Sequence, residues 1–230
     1  MTPMTSQDLR QRVFDIGIIP VVRATSADLA QRAAEAVCAG GIPIVEITMT
    51  VPGAVDLIRR LSQSLGKEVV IGAGTVLNQE AANRCIDAGA QFLVSPGFDE
   101  RTLRLASARN VLTIPGALTP TEIMAARAAG ADIIKIFPCG TVGGAKYIRA
   151  LKGPFPDVPM IPTGGVNLET AASFVEAGAF ALGVGGELIS ASALESGDVR
   201  EITENARKFV EVVRAARARS GVKLNSEPRV

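Results

Sequence analysis

Residues 128–138 read AAGADIIKIFP, and this stretch contains the pattern on which the fold depends. Its first four residues are typical of a helix that ends at a glycine. The short apolar run that follows, at 133–137, predicts a strand that is buried on both faces. Strands of that kind belong to parallel sheets whose two faces are covered by helices.

The helix-ending tetrapeptide recurs through the chain and alternates with apolar strands. It is CAGG at 38–41, DAGA at 87–90, AAGA at 128–131 and EAGA at 176–179, a spacing of roughly two strand–helix units. Predicted strands lie at 16–23, 42–49, 69–76, 92–95, 111–115, 133–137, 160–163 and 181–184, each followed by a predicted helix. Eight such units predict an α/β fold, a closed (β/α)8 TIM barrel.

The barrel is expected to occupy residues 1–230 as a single domain. An extra N-terminal helix is predicted within 1–15, the last helical region covers 199–218, and 220–230 are expected to form a loose tail. The alternative fold is an open doubly wound sheet. It is less favoured because no GxGxxG pattern follows the first strand.

The composition excludes several classes of function. The chain has 230 residues, of which 47% are hydrophobic, and a formal net charge of +1. No basic excess indicates nucleic acid, and no apolar run has the length of a membrane span. Three cysteines without a CxxC spacing argue against a disulfide framework and a zinc site, and predict a reducing, cytoplasmic setting. The polar first 12 residues do not resemble a signal peptide.

The chain has no histidine, which is the commonest general acid/base and a common metal ligand. Ser-His-Asp and Cys-His catalysis are therefore excluded, as are most zinc enzymes. Proton transfers in an enzyme of this composition would use carboxylates, lysine, the single tyrosine, hydroxyls or water.

Lys135 is the one lysine of six with an apolar run on both sides, and Glu46 is the one acidic residue embedded in a strand's apolar run. Burial removes water from an ammonium group, which lowers its pKa and leaves an amine that can act as a nucleophile. Burial raises the pKa of a carboxyl group, which suits a proton shuttle. The alternative is an ion pair of Glu46 with Lys135 or with Arg23, although a buried pair contributes little stability.

Further candidates lie where predicted strands end, because a barrel has its active site at the carboxyl ends of its strands. Arg23 could hold a carboxylate or phosphate, and Thr75 offers a hydroxyl and a backbone N–H after a glycine-rich bend. Phe137 could pack beside the reacting carbon, although core packing is its more ordinary role. Glycine pairs after the seventh and eighth strands favour a phosphate site of backbone N–H groups: Gly164, Gly165, Gly185 and Gly186.

Five segments together resemble the family of 2-keto-3-deoxy-6-phosphogluconate (KDPG) and 4-hydroxy-2-oxoglutarate (KHG) aldolases, which has 2-keto-3-deoxy-6-phosphogalactonate aldolases as relatives. They are VEIT at 45–48, IGAGTVL at 71–77, VSPG at 94–97, KIFP at 135–138 and PTGGV at 162–166. The resemblance covers residues 10–215. It implies a class I aldolase, a carbon–carbon lyase that uses a Schiff base, needs no metal or cofactor and is typically a homotrimer. KDPG would be cleaved to pyruvate and glyceraldehyde 3-phosphate, and KHG to pyruvate and glyoxylate.

The resemblance also implies roles for individual residues. Lys135 would form the Schiff base, and Glu46 would be the general acid/base. Thr75 would help to hold the pyruvoyl carboxylate. The other substrate-binding residues would be Pro96 of the VSPG segment and, over the site and toward the phosphate, Thr163, Gly164 and Gly165.

Two departures from the family pattern concern the substrate. KDPG aldolases usually have an arginine after Glu-Val-Thr-Leu that grips the carboxylate, whereas Thr50 stands there in this chain. Arg23 ends the first strand instead, as in the phosphogalactonate aldolases. The loop after the eighth strand usually carries a phosphate-binding serine, but here it reads GGE at 185–187, and Glu187 would oppose a phosphate unless it points away.

Three alternatives for the function stay open at this point. One is an aldolase strictly for phosphogalactonate or for KHG. Another is a metal-free sugar-phosphate isomerase or epimerase on the same barrel, which would use Glu46 and the glycine pairs but not Lys135. The last is an anion-binding module without turnover.

Overall fold

The computed structural model describes residues 4–65 and 68–221, and within them helices alternate with strands. The strands are β1 (Ile18–Val22), β2 (Ile44–Thr48), β3 (Val70–Gly74), β4 (Phe92–Val94), β5 (Leu112–Ile114), β6 (Gly116–Ala117), β7 (Ile134–Ile136), β8 (Met160–Pro162) and β9 (Leu182–Val184). The α-helices are α1 (Ser6–Ile16), α2 (Ala27–Ala39), α3 (Ala54–Leu65), α4 (Gln79–Asp87), α5 (Glu100–Ala108), α6 (Pro120–Ala128), α7 (Ala145–Lys152), α8 (Ala171–Glu176), α9 (Ala191–Ser196) and α10 (Arg200–Ser220).

The strands pair in parallel and form two sheets. One sheet has six strands in the order β5-β4-β3-β2-β1-β9, and the other has three in the order β6-β7-β8. The sheets meet at Pro115, which separates β5 from β6, and at a parallel bridge between Thr163 and Gly183. The prediction of an α/β fold with a curved, parallel, TIM-barrel-like sheet is confirmed.

The helix-ending glycines have the predicted geometry. Gly41, Gly89, Gly130 and Gly178 have φ angles of 94°, 100°, 91° and 93°. Glycine adopts this left-handed region without the strain that a side chain would add. Each of these residues therefore ends a helix and turns the chain toward the next strand.

Two boundaries differ from the prediction. The strand predicted at 111–115 ends at Ile114, and a further short strand, β6, follows Pro115, which has no N–H to donate to a neighbouring strand. The last helical region is preceded by the short helix α9, which begins where the Ser190 hydroxyl accepts a hydrogen bond from the Ala193 N–H at 3.1 Å. The tail predicted at 220–230 begins at Ser220, which is the last residue of α10, and its residues beyond position 221 lie outside the described residues.

The amino ends of the strands are held by polar contacts that fix the flanking helices. Asp132 accepts hydrogen bonds from the Thr113 N–H at 2.9 Å and from the Ser6 hydroxyl at 3.0 Å, which fastens α1 to the sheet. Arg217 of α10 donates to the Phe180 carbonyl at 3.0 Å. This end is occupied by structural contacts, and the carboxyl ends of the strands remain for a site.

The helices form the outer layer. The longest, α10, has 21 residues and buries one face through Ile202, Ala206, Phe209 and Val213. Its charged opposite face is typical of a helix that covers a sheet and contacts water. Among the described residues, no helix is both long and apolar enough to cross a membrane.

Candidate active site

The strand register brings predicted site residues from distant parts of the chain onto one inner face. Val21 of β1 pairs with Glu46 of β2, which pairs with Gly72 of β3. In the second sheet, Lys135 of β7 pairs with Gly116 of β6. Paired residues in parallel strands point to the same face of a sheet. The charge of Lys135 acts on the carboxyl of Glu46, so the two sheets present these groups to a common interior.

Glu46 is enclosed, with only 3% of the residue exposed. Its Oε1 has no hydrogen-bond partner among the described residues. Burial raises the pKa of this carboxyl above its usual range, and the charges of Lys135 and Arg23 offset part of that rise. A carboxyl group with a raised pKa and a free oxygen is suited to take up and return a proton.

Lys135 is 5% exposed, and its Nζ lies 5.1 Å from the centroid of the Phe137 ring. The face of an aromatic ring attracts a cation, so Phe137 limits where the amine can move. Within residues 4–65 and 68–221, neither Lys135 nor Glu46 belongs to an ion pair of 4.0 Å or less. The alternative of a structural Glu46–Lys135 pair is therefore not found, and both groups are available to a substrate.

Thr75 follows β3 with a φ of 57°, a left-handed backbone that is rare for a β-branched residue. The Met49 N–H donates to the Gly74 carbonyl at 2.8 Å, and the Val76 N–H donates to the Val94 carbonyl at 3.1 Å. Neighbouring strands thus hold both sides of the turn. Such strain costs on the order of 1–3 kcal/mol and clusters at functional sites. The residue predicted to bind a carboxylate coincides with this strained turn.

The loops after β7 and β8 are joined by backbone hydrogen bonds. The Cys139 N–H donates to the Thr163 carbonyl and the Gly140 N–H to the Gly164 carbonyl, each at 2.9 Å. Thr163 is buried, and Gly164 and Gly165 have successive positive φ angles of 88° and 75°. These contacts fix the predicted residues Thr163 and Gly164 beside the strand that carries Lys135.

Pro96 lies just past β4 and contacts the second sheet through its backbone. A side chain on Gly116 would overlap the Pro96 carbonyl, and Gly116 pairs with Lys135. The predicted residue Pro96 is therefore separated from the lysine-bearing strand by one intervening strand.

The predicted anion ligands border two different cavities. Arg23 and Thr50 line one of about 440 Å³, together with Gly185, Gly186, Glu195 and mainly apolar neighbours. Gly165 borders a wider one of about 1040 Å³ with Lys146 and Arg149. The two glycine pairs follow Thr163 and Gly183, which form a parallel bridge, so the loops that carry them begin side by side. Glu187 is exposed on the turn beside the Arg23 cavity.

Thr48 is a contributor to which the sequence interpretation gave no role. Its buried hydroxyl donates to the Val22 carbonyl at 2.9 Å and lies 2.7 Å from the Thr50 hydroxyl. Because the one proton of Thr48 goes to Val22, Thr50 donates to Thr48. This chain of bonds fixes the ends of β1 and β2 beside Arg23. A hydroxyl residue inside an apolar strand was the signal that could have revealed it.

Lys152 is a second partly buried lysine, at the end of α7. Burial lowers the pKa of its amine to about 8. Its Nζ donates to the Val158 carbonyl at 2.6 Å and to the Pro156 carbonyl at 3.2 Å. Because helices of such a fold end near the amino ends of the strands, Lys152 lies away from Glu46 and holds the loop before β8.

The remaining reactive groups of the described residues do not form a competing centre. In the ranges 4–65 and 68–221, no cluster of three or more Cys, Asp or Glu side chains is arranged to hold a metal ion. Cys139 is buried, and burial raises the pKa of its thiol to about 11, which disfavours the nucleophilic thiolate. The arrangement can therefore support amine and carboxylate chemistry.

The sequence and the structure are similar to those of known aldolases. Residues 9–205 match the family model for KDPG and KHG aldolase. The KHG/KDPG aldolase of Escherichia coli strain K12 is 36% identical over 194 residues, which are 84% of this chain and 91% of the relative. A solved structure named native KDPGal has a TM-score of 0.81 at 32% identity, over 86% of this chain and 95% of its own. The KDPG aldolase of Legionella pneumophila, solved with pyruvate captured at low pH as a covalent carbinolamine intermediate, has a TM-score of 0.79 at 28% identity, over 90% of this chain and 98% of its own.

Proposed function

The chain belongs to the KDPG and KHG aldolase family and is a carbon–carbon lyase, and from this premise we propose that it cleaves KDPG to pyruvate and glyceraldehyde 3-phosphate. KHG, cleaved to pyruvate and glyoxylate, is the second substrate in this proposal. The observation that carries it is the arrangement of Lys135 and Glu46, a buried amine whose charge acts on a buried carboxyl without forming an ion pair with it. The covalent pyruvate adduct of the Legionella relative supports the same chemistry.

The proposed reaction begins when Nζ of Lys135 attacks the C2 ketone of the substrate. The carbinolamine loses water and becomes an iminium, which accepts electrons from the neighbouring carbon. Glu46, directly or through a water, removes the C4 hydroxyl proton, the C3–C4 bond breaks, and the aldehyde leaves. The remaining enamine takes a proton at C3 from Glu46. Hydrolysis of the imine then releases pyruvate and restores both side chains.

The substrate would lie across the carboxyl ends of the strands. Thr75 holds the pyruvoyl carboxylate in this proposal, and Phe137 packs beside the reacting carbon. The tied loops after β7 and β8 cover the site through Thr163, Gly164 and Gly165, with Pro96 on the opposite rim. Arg23 takes an anionic group at the β1 end, in the cavity that Gly185 and Gly186 also line.

Incubation with pyruvate and borohydride is the experiment that tests this function. It is expected to inactivate the protein irreversibly, because reduction converts the imine on Lys135 into a stable secondary amine. Peptide mass spectrometry should place the adduct on Lys135. Lys152 is the internal control, since burial lowers its pKa to about 8 at a position away from the site. An adduct confined to Lys152, or no adduct, would contradict the proposal.

The exposed Glu187 provides a test of where the phosphate binds. Glu187→Ser is expected to lower the KM for KDPG about fivefold with kcat nearly unchanged, because relieving one close repulsion in water is worth roughly 1 kcal/mol. Glu211→Ser removes an equally exposed charge from α10 and should leave KM unchanged. Equal KM values for the Glu187 variant and the parent protein would place the phosphate away from this turn.

A 2-keto-3-deoxy-6-phosphogalactonate aldolase is the alternative within the same chemistry. Arg23 at the end of β1 and the similarity to the native KDPGal structure favour it. The values of kcat/KM for KDPG, its galactonate isomer and KHG, measured side by side, decide between them. An isomerase or epimerase is not favoured, because the relatives are aldolases.

The finer features of fold, assembly and setting are proposals too. We propose that β5 and β6 act as one strand of a closed eight-stranded barrel, a single domain with α1 as its extra N-terminal helix. The family resemblance supports a homotrimer. Three unpaired cysteines, Cys38, Cys85 and Cys139, support a reducing, cytoplasmic setting.

A further inference from the structure

Gly74 is a glycine whose backbone does not require glycine. It is the last residue of β3 and is absent from the residues with positive φ, so its conformation is open to any side chain. What excludes a side chain is the neighbouring strand. A Cβ on Gly74 would overlap Oε1 of Glu46 and would lie 2.6 Å from both Cδ and Cγ of that residue. Real Cβ atoms essentially never approach another heavy atom so closely.

We propose that Gly74 is a positioning residue, and that its missing side chain forms the space in which the Glu46 carboxyl is held toward the substrate. This inference rests on the proposed role of Glu46 as general acid/base. Glu46 and Gly74 lie on adjacent parallel strands, with Glu46 opposite Gly72 and Thr48 opposite Gly74. The Glu46 side chain therefore leans along the strand direction by two residues, toward the carboxyl end where a substrate would bind.

The same relation recurs at a second predicted site residue. Gly183 of β9 has an extended backbone, and a Cβ there would overlap Oγ1 of Thr163 and lie 3.2 Å from its Cβ. Thr163 forms the bridge to Gly183 that joins the two sheets. In both places a side chain of the site lies over a strand glycine next to it. Strand glycines therefore provide the space for a site side chain at two places, Gly74 for Glu46 and Gly183 for Thr163.

Gly74→Ala is expected to lower kcat/KM about 100-fold, because a displacement of roughly 1 Å at a catalytic group has effects of that order. In the proposed mechanism, the acidic limb of the pH dependence of kcat/KM reports ionisation of the Glu46 carboxyl. Gly74→Ala should move this limb to lower pH. The charged groups that face the Glu46 carboxyl are Lys135 and Arg23. Displacement from the β3 wall brings the carboxyl nearer to these cations or to water, and either change stabilises its ionised form.

Gly72→Ala is the matched control from the same face of the same strand. The atoms nearest to a Cβ there would be those of the Phe92 ring, at 2.3–2.4 Å. It is expected to lower the urea midpoint of unfolding and to leave the acidic limb where it is in the parent. A Gly74→Ala variant with an unshifted limb, in a protein whose Glu46→Gln variant is inactive, would overturn the positioning role and leave the proposed function standing. Full activity of Glu46→Gln would instead overturn the acid/base role of Glu46 on which this inference rests, whereas a parent protein that does not cleave KDPG would overturn the proposed function.

A double-mutant cycle measured by urea unfolding tests the steric basis of this inference without an activity assay. Gly74→Ala should lower the urea midpoint when Glu46 is present. In a Glu46→Ala background the same change should have little effect or raise the midpoint, because the methyl group enters the vacated space. An equal loss in both backgrounds would show that Glu46 is not what excludes a side chain at position 74. This readout also applies if Gly74→Ala folds too poorly for kinetics.

Discussion

Lys135→Met is expected to lower kcat/KM by at least about 10⁴-fold, the largest effect of any single substitution proposed for this chain. Methionine keeps most of the length and the apolar character of the side chain and therefore fits the buried site on β7. It cannot form a carbinolamine, so no iminium is available to accept electrons when the C3–C4 bond breaks. The variant should also resist inactivation by pyruvate and borohydride. Both measurements use the same purified protein.

Lys208→Met provides the matched control, because it removes an exposed lysine from the outer helix α10. It should retain the activity of the parent. A Lys135→Met variant that keeps parental turnover would refute the Schiff-base mechanism and would favour chemistry carried by Glu46 alone, as in an isomerase. A variant that loses activity together with its cooperative unfolding transition must be replaced by Lys135→Gln before a conclusion is drawn.

The order of strands and helices was predictable because it depends on local patterns. Apolar runs of four to eight residues and glycines that end helices are both visible in the sequence. The extra strand β6 after Pro115 and the short helix α9 were not anticipated. Both elements are short, so periodicity carries little information about them. The start of α9 depends on a single cap at Ser190.

The site was predictable where a charged residue stands in an apolar strand, as with Lys135 and Glu46. It was not predictable where it depends on the register between strands. Gly74 carries no functional group, and its contact with Glu46 exists only because β2 and β3 pair as they do. Which cavity each loop glycine borders is likewise a matter of loop geometry, which a count of glycines after strands does not contain.

Glu46→Gln is expected to lower kcat/KM about 10³-fold, within the range for loss of a general acid/base. Glutamine preserves the shape of the side chain above Gly74 but neither accepts nor returns a proton. The acidic limb of the parent's pH profile should disappear in the variant, because that limb reports ionisation of the carboxyl. Imine formation by Lys135 should persist, so trapping with pyruvate and borohydride should still label the variant. Retention of the limb in the variant would assign it to another group.

At higher pH, Glu46→Gln should be more stable relative to the parent protein than it is at lower pH. This measurement separates the effect of the buried carboxyl on stability from its role in catalysis. Burial raises the folded-state pKa of Glu46 above the ordinary value of 4.5, so between 4.5 and the raised value the folded chain binds more protons than the unfolded one. The parent therefore loses stability as pH rises through that window. Glu46→Gln removes this dependence, so its free energy of unfolding relative to the parent should increase from about pH 4 to about pH 8. Urea unfolding at the two pH values measures the change, and a constant difference would mean that the carboxyl is not held in a desolvated state.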